Sequence, residues 1–409
     1  MLPSADCKHV GMNGESGHGG PLEGVRVVDL SVMISGPLAA MMLADQGADV
    51  IKVEAPGLGD IMRFLGSSKG GMTGIFANNN RGKRSLVVDL KQPAGRELVL
   101  QLIGSADVLI QNFRPGAMDR LGLGYRDVQE VNSQLIYVSI SGFGQDGPYS
   151  GRRVYDNVIQ AASGLASVQS DPVTGEPSLY RTLICDKTTA YTAAQAITAA
   201  LFARATGRAG GQHIELAMLD TAIAFMWPDS AMDVALLDDD AVRSPTIASN
   251  YSVTRLADGF AAASPVTDAE FRGLCAALGR PDIADDAKFA DVASRMANLD
   301  EMAALLIEAA AATTIDDFEA LAVEHDVPAS KVTHLSDIHG DPQVRHNAVF
   351  VERDHPQAGR LREPRPAARL SVTPQRVGDH APGFGEHTDE IVRELGLDPG
   401  PLRDGAVVF

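Results

Sequence analysis

The sequence predicts an α/β protein: an open, mostly parallel sheet in a large domain, followed by a smaller α+β domain. Three observations predict it. Short β-branched runs alternate with helical patterns from residue 25 onward, the signature of parallel strands joined by crossover helices. At 409 residues the chain exceeds one typical domain. Beyond the acidic run "LLDDD" the alternation gives way to a hairpin-like pair and a group of helices.

Taken in order, residues 1–20 lack both an apolar stretch and a period, and read as a flexible tail. "VRVVDL", "DVIKVE", "SLVVDL", "ADVLIQ" and "QLIYVSIS" read as strands, with "GPLAAMMLADQGA" and "GRELVLQLIGS" as helices between them. A helix is expected over 156–168. Another is expected over 187–206, where Ala190, Ala193, Ala194, Ile197, Ala200 and Leu201 recur at helical spacing, and strand 212–217 closes the first part of the large domain, 21–217. Residues 218–250 read as a linker, 251–325 as the small domain with helices near 267–278, 298–312 and 315–325, and 326–340 as a second linker. From 341 to 409 come Pro- and Gly-punctuated strands and the helix "HTDEIVRELGL", with Thr388 as its cap and Glu390 pairing with Arg393.

Composition removes several functions. A formal charge of −18 opposes nucleic-acid binding, which needs a positive field against phosphates. The longest apolar stretch near 217–237 is broken by Asp220, Pro228, Asp229 and Asp233, so no membrane span is expected. Cys7, Cys185 and Cys275 are far apart and odd in number, which suits a reducing, cytoplasmic setting. No cysteine or histidine spacing suggests a metal.

Local motifs carry less chemistry than they promise. "GFGQDG", residues 142–147, spells a dinucleotide fingerprint, but Pro148, Tyr149 and Gly151 follow where a helix should begin, so it reads as a turn-rich loop. Arg81, Lys83, Arg84 and Lys91 form one basic group and Arg114 with Arg120 a second, each beside a predicted strand; together they suggest an anion site at the sheet's carboxyl edge. Asp186, in "LICDKTT", stands where an apolar run meets a helix. On local pattern it reads as an N-cap accepting from Thr188 or Thr189.

Read together, "PLEGVRVVDLS", "GPLAAMMLADQGADVIKVEAPGLGD", "NRGKRSLVVDLK", "ADVLIQNFRPGAMDRLGLGY", "SISGFGQDGP", "YDNVIQAASGL" and "ATGRAGGQHIELAMLD" resemble, in order, the family III CoA-transferases, which include formyl-CoA and carnitine CoA-transferases and alpha-methylacyl-CoA racemase. The resemblance implies a Rossmann-like, CoA-binding large domain completed by residues 341–409, and two subunits interlocked as a homodimer. It places the family's aspartate nucleophile on Asp186. CoA contacts fall on Met33, Ile34 and Ser35; on Val88, Asp89, Leu90 and Lys91; on Asn112, Phe113, Arg114 and Arg120; and on Ser141, Gly142 and Phe143. Tyr155 and Asp156 fall in the substrate pocket. The implied partners are an acyl-CoA and a carboxylic acid, with coenzyme A the carried group and no metal or redox cofactor.

The chain departs from formyl-CoA transferase at Ala55, where an arginine is expected, and shows no glycine-rich lid near 250–265, which argues against oxalate or formate. An acyl-CoA racemase or epimerase exchanging the alpha proton is the alternative. That branch carries histidine where this chain has Tyr155, and an ordinary tyrosine, with a pKa of about 10, is poorly matched to a proton exchanger near neutral pH. The sequence therefore favours CoA transfer.

Overall fold

The computed structural model describes residues 19–409, so Cys7 and most of the expected tail lie outside the described residues. The chain divides into two compact units, one reaching to Trp227 and resuming at Ala348–Phe409, the other Pro228–Asn347.

Six strands build the sheet of the first unit: β1 (Arg26–Asp29), β2 (Asp49–Glu54), β3 (Lys83–Val87), β4 (Val108–Gln111), β5 (Ile136–Ser141) and β6 (Gln212–Ala217). All five pairings are parallel and the order is β3-β2-β1-β4-β5-β6. The winding reverses between β1 and β4, so the loops leaving these two strands diverge and open a crevice at the carboxyl edge. The inner strands are apolar on both faces because helices cover both. Val27, Val50, Val108, Ile136 and Val138 face helices α1 (Ser35–Ala44) and, later in the chain, 184–205. Val28, Ile51, Leu86, Leu109 and Tyr137 face α2 (Pro93–Gly104) through Leu98, Val99 and Leu102.

Two further helices frame the carboxyl edge, α3 (Asp156–Ser163) and α4 (Ile184–Ala205). The helix expected over 156–168 is broken at Gly164, whose φ of 94° ends one helix and starts the short Leu165–Val168 turn. The six apolar residues expected on one face of α4 are all buried. Their small size lets α4 close against Ala39, Ala40 and Leu43 of α1.

The C-terminal segment returns to this unit as a hairpin, Phe350–His355 with Gly359–Pro364, and the helix Thr388–Glu394. It lies along β3: His387 N–H donates to the Ser85 carbonyl (3.0 Å), Phe409 N–H to that of Val87 (3.2 Å), and Val88 bridges Val408. Thr388 does not cap its helix as expected. His387 holds that position, and the Thr388 hydroxyl instead accepts the Val87 N–H at 3.2 Å. Glu390 pairs with Arg84 rather than Arg393, which reaches Asp389.

The second unit is α+β. Thr254–Arg255, Phe260–Ala263 and Ala329–Lys331 form an antiparallel sheet, with helices Asp268–Ala277, Leu299–Ala312 and Ile315–Glu324 near the expected positions. Thr267 and Glu270 make a reciprocal cap at the first of these helices. The unit is wider than residues 251–325. Residues 329–331, expected in a linker, supply its third strand, a pairing that local composition does not reveal.

Candidate active site

Asp186 is not the cap of its helix. Leu183 holds the N-cap position and has no side chain able to accept, while Asp186 is the third helical residue. The cap comes from thirty residues away: Asp156 Oδ2 accepts the Asp186 N–H at 2.9 Å. Asp156 Oδ1 accepts from Gln160 Nε2 at 2.6 Å, and Gln160 Oε1 accepts the Tyr180 N–H at 2.8 Å, which fixes the segment leading into α4. Because Asp156 satisfies one of the orphan donors of α4, the Asp186 carboxylate is released from its own helix start.

That carboxylate lies half-buried among groups of opposing effect. Burial, and then the negative charge of Asp156, raise its pKa from 3.8 to about 7. The Ser35 hydroxyl and backbone N–H pull the other way. Two helix N-termini, those of α1 and α4, converge here and favour the ionised form, yet desolvation wins. The result is a weakly solvated carboxylate that titrates near neutrality. Cys185 beside it is fully buried, and burial, followed by the charges of Asp156 and Asp186, pushes its thiol up to about 12. It is inert as a nucleophile.

The sequence-derived contact residues all lie at or beyond carboxyl ends of strands. Met33, Ile34 and Ser35 form the turn from β1 into α1, and Met33 takes a left-handed φ of 65°. Gly36 is dictated by crowding there, since a Cβ would meet the Ser31 side chain at 2.3 Å. Asn112, after β4, clamps this turn across the crevice: its Oδ1 accepts the Val32 N–H (2.9 Å) and its Nδ2 donates to the Val32 carbonyl (2.7 Å). Val88 turns its side chain into the core, Asp89 Oδ1 accepts the Lys91 N–H at 2.9 Å, and Leu90 and Phe113 pack at the core margin. Arg114 and Arg120 are exposed, and Arg114 lines a cavity of about 280 Å³ with Gln111, Tyr125, Ser139 and His213. Ser141 Oγ accepts the Gly144 N–H at 3.1 Å, shaping the loop that carries Gly142 and Phe143. Tyr155 is 68% exposed and Asp156 3%. The structure thus brings Ser35, Asp156 and Asp186 together, and leaves Tyr155 outside their bonds.

The first basic group is a correction. Arg81 is buried against Asp45 (2.6 Å), Lys83 against Asp29 (2.7 Å), and Arg84 joins Asp49 and Glu394. Lys83 and Arg84 begin β3, at the amino end of the sheet, so no ligand at the carboxyl edge meets them. Lys91, Arg114 and Arg120 are the cations of these groups that lie beyond carboxyl ends. Sequence reasoning missed Lys52, Asp60 and Gln160. A lysine inside the apolar strand "DVIKVE" was the available signal.

Fold and site together define an α/β enzyme with a carboxylate set at the carboxyl edge of a parallel sheet. The chain belongs to CoA-transferase family III, whose model matches residues 22–388. It is 35% identical over 386 residues to a succinate–glutarate CoA-transferase of Agrobacterium fabrum, a match covering 92% of this chain and 96% of that one. It is 34% identical over 406 residues to a succinyl-CoA:mesaconate CoA-transferase of Haloarcula marismortui, covering 94% and 98%. The crystal structure of a CAIB/BAIF family protein from Brucella suis superposes with a TM-score of 0.82 at 33% identity, covering 92% of this chain and all of that one.

Proposed function

We propose that this enzyme moves CoA from an acyl-CoA to a free carboxylic acid with Asp186 as covalent nucleophile. The Asp186 carboxylate attacks the thioester carbonyl; the C–S bond breaks, leaving an aspartyl anhydride and CoA thiolate. The thiolate attacks the aspartyl carbonyl, the first acid departs as carboxylate, and the enzyme holds CoA as a thioester. An incoming carboxylate repeats the two steps in reverse, forming a second anhydride and then the new acyl-CoA. Carboxylate and thiolate exchange acyl groups without electron transfer, so neither a metal nor a redox group is required.

The observation that carries this reading is the division of labour at α4. Asp156 caps the helix, and Asp186 is left desolvated and unbonded to its own helix start. A desolvated carboxylate is a stronger nucleophile than a hydrated one. Two helix N-termini and the Ser35 donors are placed to stabilise the oxyanions that develop.

CoA is assigned to the carboxyl edge, over Met33–Ser35, Val88–Lys91, Asn112–Arg114, Arg120 and Ser141–Phe143. Tyr155 and Asp156 are assigned to the acid pocket. Dicarboxylic acids are the proposed substrates, in line with the succinate, glutarate and mesaconate named for the two relatives. An interlocked homodimer and a cytoplasmic location complete the proposal, on the family resemblance and the cysteine usage. Tyr155, in the racemase branch's histidine position, supports transfer over epimerisation.

The test is to incubate the enzyme with acyl-CoA and hydroxylamine and map the product by mass spectrometry. A hydroxamate on Asp186 is expected. CoA exchange without modification there would overturn the mechanism.

A further inference from the structure

We propose that Lys52 and Asp60, a buried ion pair beside the β1 turn, are positioning residues that hold Ser35 against the Asp186 carboxylate. The inference rests on the reading of Asp186 as nucleophile. Lys52 and Asp60 are completely buried, and their charged atoms lie 2.9 Å apart. Both reach the turn that leads from β1 into α1. Lys52 Nζ donates to the Ser31 carbonyl at 2.9 Å. Asp60 Oδ1 accepts the Met33 N–H at 3.2 Å and the Met62 N–H at 3.0 Å. Asp29 Oδ1 accepts the Ser31 N–H at 3.0 Å, and Asn112 brackets Val32 from the other side. Backbone groups of three consecutive residues, Ser31 to Met33, are therefore fixed by side chains before the chain reaches Ser35.

Asp60 is itself held. Its N–H donates to Glu54 Oε1 at 3.0 Å, and Glu54 is gripped by Arg63 at 2.8 and 2.7 Å. Burial works against the Lys52 charge, but Asp29, Asp60 and Glu54 outweigh it and hold the lysine protonated. Replacing a buried ion pair by apolar residues is often neutral or stabilising, so fold stability alone does not account for this arrangement. What it secures is a turn that local preference opposes, with Met33 in the left-handed region. Beyond that turn, Ser35 supplies the two hydrogen-bond donors that favour ionised Asp186. The other titratable groups facing Asp186 are Asp156, from α3, and the neighbouring Cys185 thiol; neither is bonded to Lys52 or Asp60.

The test compares the pH dependence of kcat/KM for CoA exchange in Ser35→Ala, Lys52→Met, Asp60→Asn and the double variant Ser35→Ala/Lys52→Met. Ser35→Ala removes the hydroxyl directly, and its acid limb is expected to rise by about one pH unit, a tenfold loss on the acid side. Lys52→Met is expected to shift the limb in the same direction, and the double variant to shift no further than Ser35→Ala, because both act through one contact. A wild-type limb in Lys52→Met, or additive shifts in the double variant, overturns the proposal. If Lys52→Met does not fold, Asp60→Asn, which keeps the size of Asp60 and removes its charge, decides by the same limb. Hydroxylamine trapping on the wild-type enzyme separates the two readings: a hydroxamate on Asp186 with an unmoved limb sinks the positioning role alone, and no hydroxamate sinks the nucleophile.

Discussion

Asp186→Asn should abolish CoA exchange and at the same time stabilise the protein, with a gain that depends on pH. The carboxyl titrates near 7 in the fold and near 3.8 when unfolded, so between these values the folded state binds the extra proton. Stability contributed by the protonated group is complete below pH 3.8 and is lost as pH rises through 7. The shift corresponds to a ceiling of about 4 kcal/mol above pH 7. Asp186 is partly reached by solvent, which screens the effect, so about 2 kcal/mol is the working figure. The amide carries no charge at any pH and escapes this cost. Thermal unfolding across pH 4 to 8.5 should show curves that meet near pH 4 and separate by about 2–3 °C at pH 8. A difference independent of pH, or a variant less stable than wild type at pH 8, would refute the claim that the site holds a destabilised carboxylate.

Other perturbations bear on the same architecture. The acid limb of kcat/KM for the wild-type enzyme should fall near pH 7, the value for the free enzyme's essential base. Asp156→Asn removes the neighbouring negative charge, so the limb should move to lower pH even as the weakened helix cap lowers the rate; a pH–rate series reads both. Gly36→Ala drives a methyl into Ser31, whose hydroxyl is engaged by Asp29, and should cost about 1–3 kcal/mol in urea unfolding along with most of the activity. Arg81→Leu strands Asp45, which accepts from Arg81 at 3.0 and 2.6 Å, and should destabilise by about 3 kcal/mol while leaving the pH limb in place.

Much of this was legible in the residues. The strands announced themselves because both of their faces are buried, which leaves short, unbroken β-branched runs such as "VRVVDL". The buried stripe of α4 was equally plain, since its alanines fall at helical spacing. Side-chain partnerships were not. Asp186 looked like a cap because the group that relieves it of that task, Asp156, lies thirty positions earlier. Arg81, Lys83 and Arg84 looked like an anion site because their carboxylates, Asp45, Asp29 and Asp49, belong to other segments. Thr388 looked like a cap for the same reason, its acceptor being spent on β3. In each case a local pattern was read correctly as polar and misassigned because its partner was remote. The third strand of the small sheet failed in the same way. Resemblance to a family, rather than spacing, singled out Asp186.

Residues 387–409 lie against the outer flank of β3, whose backbone would otherwise present open donors and acceptors to other chains. During synthesis that flank emerges some three hundred residues before its cover, at about 5–20 residues per second. For the intervening seconds the nascent chain carries an uncovered edge, and this is when a chaperone or a second nascent chain would find it. Removing residues 387–409 would make that exposure permanent, trading a catalyst for an aggregate without touching a single group of the reaction centre.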